Sequence, residues 1–227
     1  MAGKRAVVFA NGEMSTPGWV SEFIHLNDVL IAADGGLNHA LALGLNPNFL
    51  VGDLDSVTPQ QMQEAAAKGC QVERYPEEKD QTDLEIALLR AVAEEIDEIV
   101  VLGALGGRVD HELTNLSLLL MPELNAVSVR ILAEDQELFL ITSESELTGQ
   151  PGDSVSLLPW GGPVIGVTTR GLRYPLAFET LTPDRSRGVS NVMLERSALV
   201  SVESGSLLCI HTRKKDQMES NGVKNEK

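Results

Sequence analysis

Two cysteines, Cys70 and Cys209, are all that the 227 residues contain, and they stand far apart. Neither a disulfide framework nor a cysteine-based metal site is indicated. Long apolar runs are missing as well: no stretch approaches the roughly 20 residues that span a bilayer. The first apolar stretch, residues 6–10, is too short for a secretory signal and reads as a strand. A cytoplasmic setting without membrane contact is therefore expected. Positive charge is scarce, with 18 Lys and Arg against 33 Asp and Glu and a net charge of −15. Nucleic-acid binding, which needs a basic footprint, is not expected. One small polyanion is still admissible, because a metal ion reverses the local sign at a carboxylate cluster. The same acidity favours a cationic small molecule.

What the chain does contain falls into two textures. Up to about residue 135, short runs rich in Val, Ile and Leu (5–10, 28–33, 97–103) alternate with segments of helical periodicity. The segment 58–68 opens with Thr-Pro and stops before Gly69. The segment 83–96 carries an apolar stripe of Leu84, Ala87, Leu88, Ala91 and Val92, and Thr82 with Glu85 has capping-box spacing. Apolar strands alternating with helices predict a Rossmann-like, mostly parallel sheet covered on both faces. Later segments are short and β-rich: 138–142, 154–158, 164–168, 199–202 and 207–212. Gly149-Gln150-Pro151-Gly152 and Trp160-Gly161-Gly162-Pro163 separate some of them, a pattern that predicts a smaller antiparallel β-sandwich. The expected organisation is an α/β domain over 1–140, a β-sandwich over 141–213 and a disordered polar tail over 214–227.

Four motifs carry chemistry, and three lie just after expected strands, where open α/β sheets bind ligands. In Ala33-Asp34-Gly35-Gly36 the glycines let backbone amides approach a ligand and open a helix. In Gly52-Asp53-Leu54-Asp55-Ser56, two carboxylates at i and i+2 can converge on one hard cation, and Mg²⁺ takes oxygen ligands together with substrate phosphates. In Lys79-Asp80-Gln81-Thr82-Asp83, Thr82 caps a helix and Asp83 complements its dipole, which leaves Asp80 without a structural duty. The run Gly103 to His111 offers three glycines, Arg108 as a planar fork for phosphate, and Asp110 and His111 for nucleotide contacts. It is neither the dinucleotide fingerprint nor the Gly-x4-Gly-Lys-Ser/Thr loop. So many carboxylates at one sheet edge repel one another and raise their own pKa values. Mg²⁺ and a cationic substrate relieve that conflict.

The order and spacing of these four motifs resemble thiamine pyrophosphokinases. Thr169-Arg170-Gly171-Leu172-Arg173-Tyr174-Pro175-Leu176 and Ser190-Asn191 resemble that family's second domain. The resemblance covers residues 5–212. It implies ATP and thiamine as substrates, thiamine diphosphate and AMP as products, and a homodimer whose sites lie at the subunit interface. It places Asp53, Asp55 and Asp83 on positions for Mg²⁺ and diphosphate, and Asp80, Asp83 and Asp55 around the chemistry. Asp34, Gly35, Gly36, Lys79, Thr82, Arg108, Asp110 and His111 fall on the nucleotide side, and Tyr174, Ser190 and Asn191 on the thiamine side. Two positions depart from the family pattern. Tyr174 stands where some relatives carry Trp, and Glu78 where many carry Asp. The Asp53-x-Asp55 pair alone also fits another Mg²⁺-dependent phosphotransferase or phosphohydrolase. A non-catalytic nucleotide or thiamine sensor is a further alternative.

Overall fold

A computed structural model describes residues 3–14 and 17–214. The expected tail lies outside the described residues beyond Lys214. Six short strands form the first layer: β1 (Arg5–Phe9), β2 (Val29–Ala33), β3 (Phe49–Gly52), β4 (Gln71–Arg74), β5 (Glu98–Leu102) and β6 (Ser128–Ala133). They run parallel in the order β4-β3-β2-β1-β5-β6. The chain steps outward from β1 to β4 and then returns to the far side of β1 at β5. That reversal opens a crevice beyond the carboxyl ends of β1 and β5.

The inner strands β1, β2, β3 and β5 are apolar because both faces are covered. In β1, Ala6 and Val8 enter one core while Val7 and Phe9 enter another, and all four are fully buried. The covering helices are α1 (Gly36–Ala42), α2 (Pro59–Ala67), α3 (Asp83–Ala93) and α4 (Val109–Ser117). The Thr58 side chain accepts from the Gln61 N–H at 3.3 Å while Gln61 Oε1 accepts from the Thr58 N–H at 3.0 Å, closing a capping box at α2. At α3 the Thr82 hydroxyl accepts from the Glu85 N–H at 3.2 Å. Leu84, Ala87, Leu88 and Ala91 of α3 are buried in the same core as Ala6 and Val8. Each fully buried Leu contributes about 2 kcal/mol through apolar burial. The helix ends at Ala93, short of the expected residue 96. Glu95 takes a left-handed φ of 56°, which turns the chain and buries Ile96. Helix α4 is unlike the others in having no buried residue.

Seven strands complete the architecture among the described residues: β7 (Gln136–Ile141), β8 (Glu144–Thr148), β9 (Ser154–Arg170), β10 (Glu179–Leu181), β11 (Asn191–Val192), β12 (Ser197–Ser201) and β13 (Ser204–Thr212). Their pairings are antiparallel. The fold is thus a parallel α/β part followed by an antiparallel β-rich part, as the sequence predicts.

One expectation fails here. Trp160-Gly161-Gly162-Pro163 does not separate two strands, because residues 154–170 form the single strand β9. Gly161 and Gly166 adopt φ values of 78° and 71°, which bend the strand without ending it. Its first half pairs with β13 and its last residues with β12, so one strand serves two layers. Between those layers lies a core containing Val155, Leu157, Val164, Val167, Val200 and Leu207. The alternate residue Leu208 of β13 joins the core under α3. Strands beyond residue 141 therefore help to close the first part. Asp153 and His211, each 2% exposed, pin the end of β13 at 3.0 Å. Burial raises the Asp153 pKa, but hydrogen bonds from the Lys214 and Gln150 N–H groups and from His211 outweigh it and hold the carboxyl below its ordinary value. No helix among the described residues is long and apolar enough to cross a membrane.

Candidate active site

The crevice at the β1–β5 reversal holds a cavity of about 740 Å³. The loops after β1, β2, β3 and β5 and the start of α3 build it. The approach of these loops depends on glycine. A Cβ on Gly36 would lie 1.9 Å from the Phe9 carbonyl oxygen, so α1 can begin against the end of β1 only with glycine there. Gly103, at φ 68°, turns the chain directly off β5, and a Cβ there would meet the Ala10 carbonyl at 2.6 Å.

Asp34, Asp53 and Asp83 converge at one side, each offering a carboxylate oxygen within 4.8 Å of the others. Asp34 is buried at φ 45°, and its Oδ1 accepts from the Ser56 N–H at 3.2 Å. Lys79 lies between the other two, with Nζ 3.3 Å from Asp53 Oδ2 and 3.1 Å from Asp83 Oδ1. Burial raises the pKa of the Asp83 carboxyl. Lys79 opposes the shift, but Asp53 and Asp34 reinforce it, and the net direction is upward. Burial lowers the Lys79 pKa, yet its two carboxylate partners raise it further, so the net direction is also upward. Asp83 Oδ1 is buried, and among the described residues it has no hydrogen-bond donor other than that ammonium. An all-oxygen donor set drawn this close together fits a hard divalent cation.

The cluster differs from the expected Asp53, Asp55 and Asp83, since Asp34 takes part and Asp55 does not. Leu54 adopts a left-handed φ of 64° and buries its side chain, so the carboxylates at i and i+2 part. Asp53 enters the cluster, while Asp55 is exposed on the cavity wall and accepts from the Ser56 hydroxyl at 2.9 Å. Asp80 is exposed and does not line the cavity, whereas Lys79, Thr82 and Asp83 do.

Of the residues expected on the nucleotide side, Asp34, Lys79, Thr82, Arg108 and His111 line the cavity, and Gly35, Gly36 and Asp110 do not. Arg108 makes a two-pronged, exposed pair with Asp110, Nε to Oδ1 at 3.1 Å and Nη2 to Oδ2 at 2.6 Å. This pairing lowers the Asp110 pKa and raises that of Arg108. The Gly106 and Gly107 amides donate to Glu112 Oε1 at 2.9 and 2.8 Å, which folds the glycine loop back on α4. Sequence reasoning passed over Asn11, Glu13, His39, Glu112 and Asn115, all of which line the cavity. His39 Nε2 lies 2.8 Å from the Gly12 carbonyl, and Asn115 donates to the Ala104 carbonyl at 2.8 Å. The available signal was position, because Asn11-Gly12-Glu13 follows β1 as the other motifs follow their strands.

Tyr174, Ser190 and Asn191 do not line this cavity. Tyr174 is 58% exposed and Ser190 is exposed, but Asn191 is 3% exposed and its amide is engaged by backbone.

Two family models match the chain: "Thiamin pyrophosphokinase, catalytic domain" over residues 20–131 and "Thiamin pyrophosphokinase, vitamin B1 binding domain" over residues 141–207. A thiamine pyrophosphokinase of Bacillus subtilis is 28% identical over 184 residues, covering 80% of this chain and 86% of the relative. Thiamine pyrophosphokinase 1 of Oryza sativa is 26% identical over 209 residues, covering 81% of this chain and 78% of the relative. The crystal structure of the Bacillus subtilis thiamine pyrophosphokinase superposes with a TM-score of 0.83 at 25% identity, over 93% of this chain and all of that one. The catalytic-domain match spans the crevice motifs from Asp34 to His111, and the second match spans Tyr174, Ser190 and Asn191, so that the chain as a whole belongs to the thiamin pyrophosphokinase family.

Proposed function

We propose that this chain transfers the diphosphoryl group of ATP to the hydroxyl of thiamine, yielding thiamine diphosphate and AMP. Membership of the family supports the reaction, and the Asp34, Asp53 and Asp83 cluster at one side of the crevice is the observation that carries it. The thiamine hydroxyl forms a bond to the β-phosphorus as the bond from that phosphorus to the oxygen bridging to the α-phosphate breaks, and AMP leaves. Such transfer depends on alignment and charge stabilisation more than on covalent help from protein.

Asp34, Asp53 and Asp83 would hold Mg²⁺, which when bound neutralises charge on the phosphate oxygens. Asp55, on the cavity wall beside them, is placed to complete the acidic rim. Lys79 keeps Asp53 and Asp83 from repelling each other and offers its ammonium to the incoming phosphates. Asp83 lines the cavity and Asp80 does not, so Asp83 is the carboxylate placed to accept a hydrogen bond from the attacking hydroxyl. Tyr174 offers an exposed π face to the thiamine cation, an attraction of about 0.5–2 kcal/mol. Ser190, exposed and immediately before Asn191 in the sequence, contributes a hydroxyl on that side.

That the Tyr174 side lies outside the acidic cavity supports a site that joins the two halves across a homodimer interface. Helix α4 supports this arrangement: Val109 and Leu113, four residues apart on one face, are 68% and 52% exposed, an apolar pair suited to a partner. The cytoplasm, which supplies ATP, is the proposed setting.

Incubation with ATP, Mg²⁺ and thiamine followed by separation of nucleotides tests the reading. AMP supports it, whereas ADP indicates single phosphoryl transfer and inorganic phosphate indicates hydrolysis. Arg108→Ala is expected to weaken binding of a non-hydrolysable ATP analogue about 10-fold and thiamine binding less than 2-fold, since its fork suits phosphate. Titration calorimetry with each ligand checks this, and equal losses for both would contradict it.

A further inference from the structure

The family-based expectation makes Asn191 a hydrogen-bonding contact to thiamine, but its side chain is spent elsewhere. Asn191 Oδ1 accepts from the Tyr174 N–H at 3.0 Å and from the Val192 N–H at 2.9 Å, and Nδ2 donates to the Tyr174 carbonyl at 2.7 Å. One buried amide thus holds both backbone polar groups of an exposed tyrosine and uses three of its four bonding capacities. The rest of the loop is built to the same end. Arg173 N–H donates to the Val192 carbonyl and Leu194 N–H to the Gly171 carbonyl, both at 2.9 Å. Thr169 closes the loop by donating its N–H to the Leu176 carbonyl at 3.0 Å and accepting the Leu176 N–H on Oγ1 at 2.9 Å. Pro175 restricts Tyr174 to extended backbone conformations. Ser190, held at a φ of 57° with its N–H on the Ser156 hydroxyl at 3.0 Å, delivers Asn191 inward.

We infer that Asn191 is a positioning residue: it fixes the Tyr174 backbone so that the aromatic ring is presented to the cationic ring of thiamine in one arrangement, without itself touching the substrate. The inference rests on the proposed stacking of thiamine on Tyr174. A flexible loop would have to be ordered at each binding event, and a clamped one is ordered already. Loss of the clamp therefore acts on thiamine binding through Tyr174 alone.

A double-mutant cycle tests this. Asn191→Ala should raise the Michaelis constant for thiamine about 5-fold, with the change concentrated in KM rather than kcat and the KM for ATP within 2-fold. In a Tyr174→Ala background the same substitution should add less than 2-fold. An undiminished effect in that background, or no effect in either, would overturn the inference. Should Asn191→Ala not fold, Asn191→Asp keeps the shape and the acceptor oxygens and loses the donor to the Tyr174 carbonyl, and the cycle is run with it under the same criteria. Fluorine NMR supplies a second readout. The chain has only Tyr75 and Tyr174, so fluorotyrosine labelling gives two resonances, which Tyr75→Phe assigns. The Tyr174 resonance should be single and narrow in the wild type and split or broadened in Asn191→Asp. An identical resonance in both would also overturn the inference. Thiamine must shift the wild-type Tyr174 resonance. If it does not, the stacking reading fails, while the comparison with Asn191→Asp still reports whether the clamp exists.

Discussion

Asp53→Asn and Asp83→Asn are each expected to lower turnover by at least ~100-fold, a loss of ~2.7 kcal/mol in transition-state stabilisation. Both contribute oxygens to the crevice cluster, and the buried Asp83 oxygen is met by the Lys79 ammonium. The effect should be separable from stability. The folded-state pKa of Asp83 is raised above the ordinary aspartate value of 3.8, first by burial and then by Asp53 and Asp34. The sign follows: the protonated form is favoured by folding, so this group's stabilising contribution is full at low pH and is lost as pH rises through the folded-state value. At neutral pH its ionised form is a burden on the metal-free fold. Asp83→Asn should accordingly melt no lower than the wild type without metal, while Mg²⁺ should raise the wild-type melting temperature and leave that of Asp83→Asn unchanged. Near-normal turnover in both variants, or a metal-induced rise preserved in Asp83→Asn, would remove the cluster from the mechanism.

Recovery of activity on mixing two impaired subunits is the second large effect expected. Tyr174→Ala and Asp53→Asn homodimers should both turn over poorly at thiamine concentrations below the wild-type KM. The Tyr174 variant loses up to roughly 30-fold through the cation–π contact. Tyr174 does not line the cavity that the acidic cluster opens into, and α4 leaves Val109 and Leu113 uncovered. If each site joins the crevice of one subunit to the Tyr174 loop of its partner, a mixed dimer carries both lesions in one site and none in the other. Activity should then return toward half that of wild type per site. Self-contained sites would each keep one lesion, and verified mixed dimers would stay inactive.

Much of the crevice is legible in the sequence because strands buried on both faces must be apolar and ligand loops follow them. Runs at 5–10, 28–33 and 97–103 mark β1, β2 and β5, and Asp34, Asp53 and Gly103 fall directly after strands. Strands β4 and β8 escape such reading because they end the strand order at its two edges. Their sequences, QVER and ESELT, are mostly polar and largely solvent-facing. The exchange of Asp55 for Asp34 in the cluster was hidden for a different reason. An i, i+2 spacing suggests convergence only if the residue between is extended, and Leu54 is left-handed. Likewise Gly161-Gly162 carries the composition of a turn, yet β9 continues through it because β13 and β12 supply partners on either side. Asn191 shows the limit of motif transfer. Its position beside Ser190 suggests a ligand contact, and only the hydrogen bonds to Tyr174 reveal where its amide is spent.

The central claim is that two phosphoryl groups move together from ATP to thiamine. The most direct measurement follows three preparations of ATP, radiolabelled at the α, β or γ phosphorus, in the presence of Mg²⁺ and thiamine. The account predicts that β and γ label both appear in thiamine diphosphate, in equal amounts, and that α label appears only in AMP. Label from the γ position alone in the thiamine product, or release of β and γ label without any in thiamine, would contradict it.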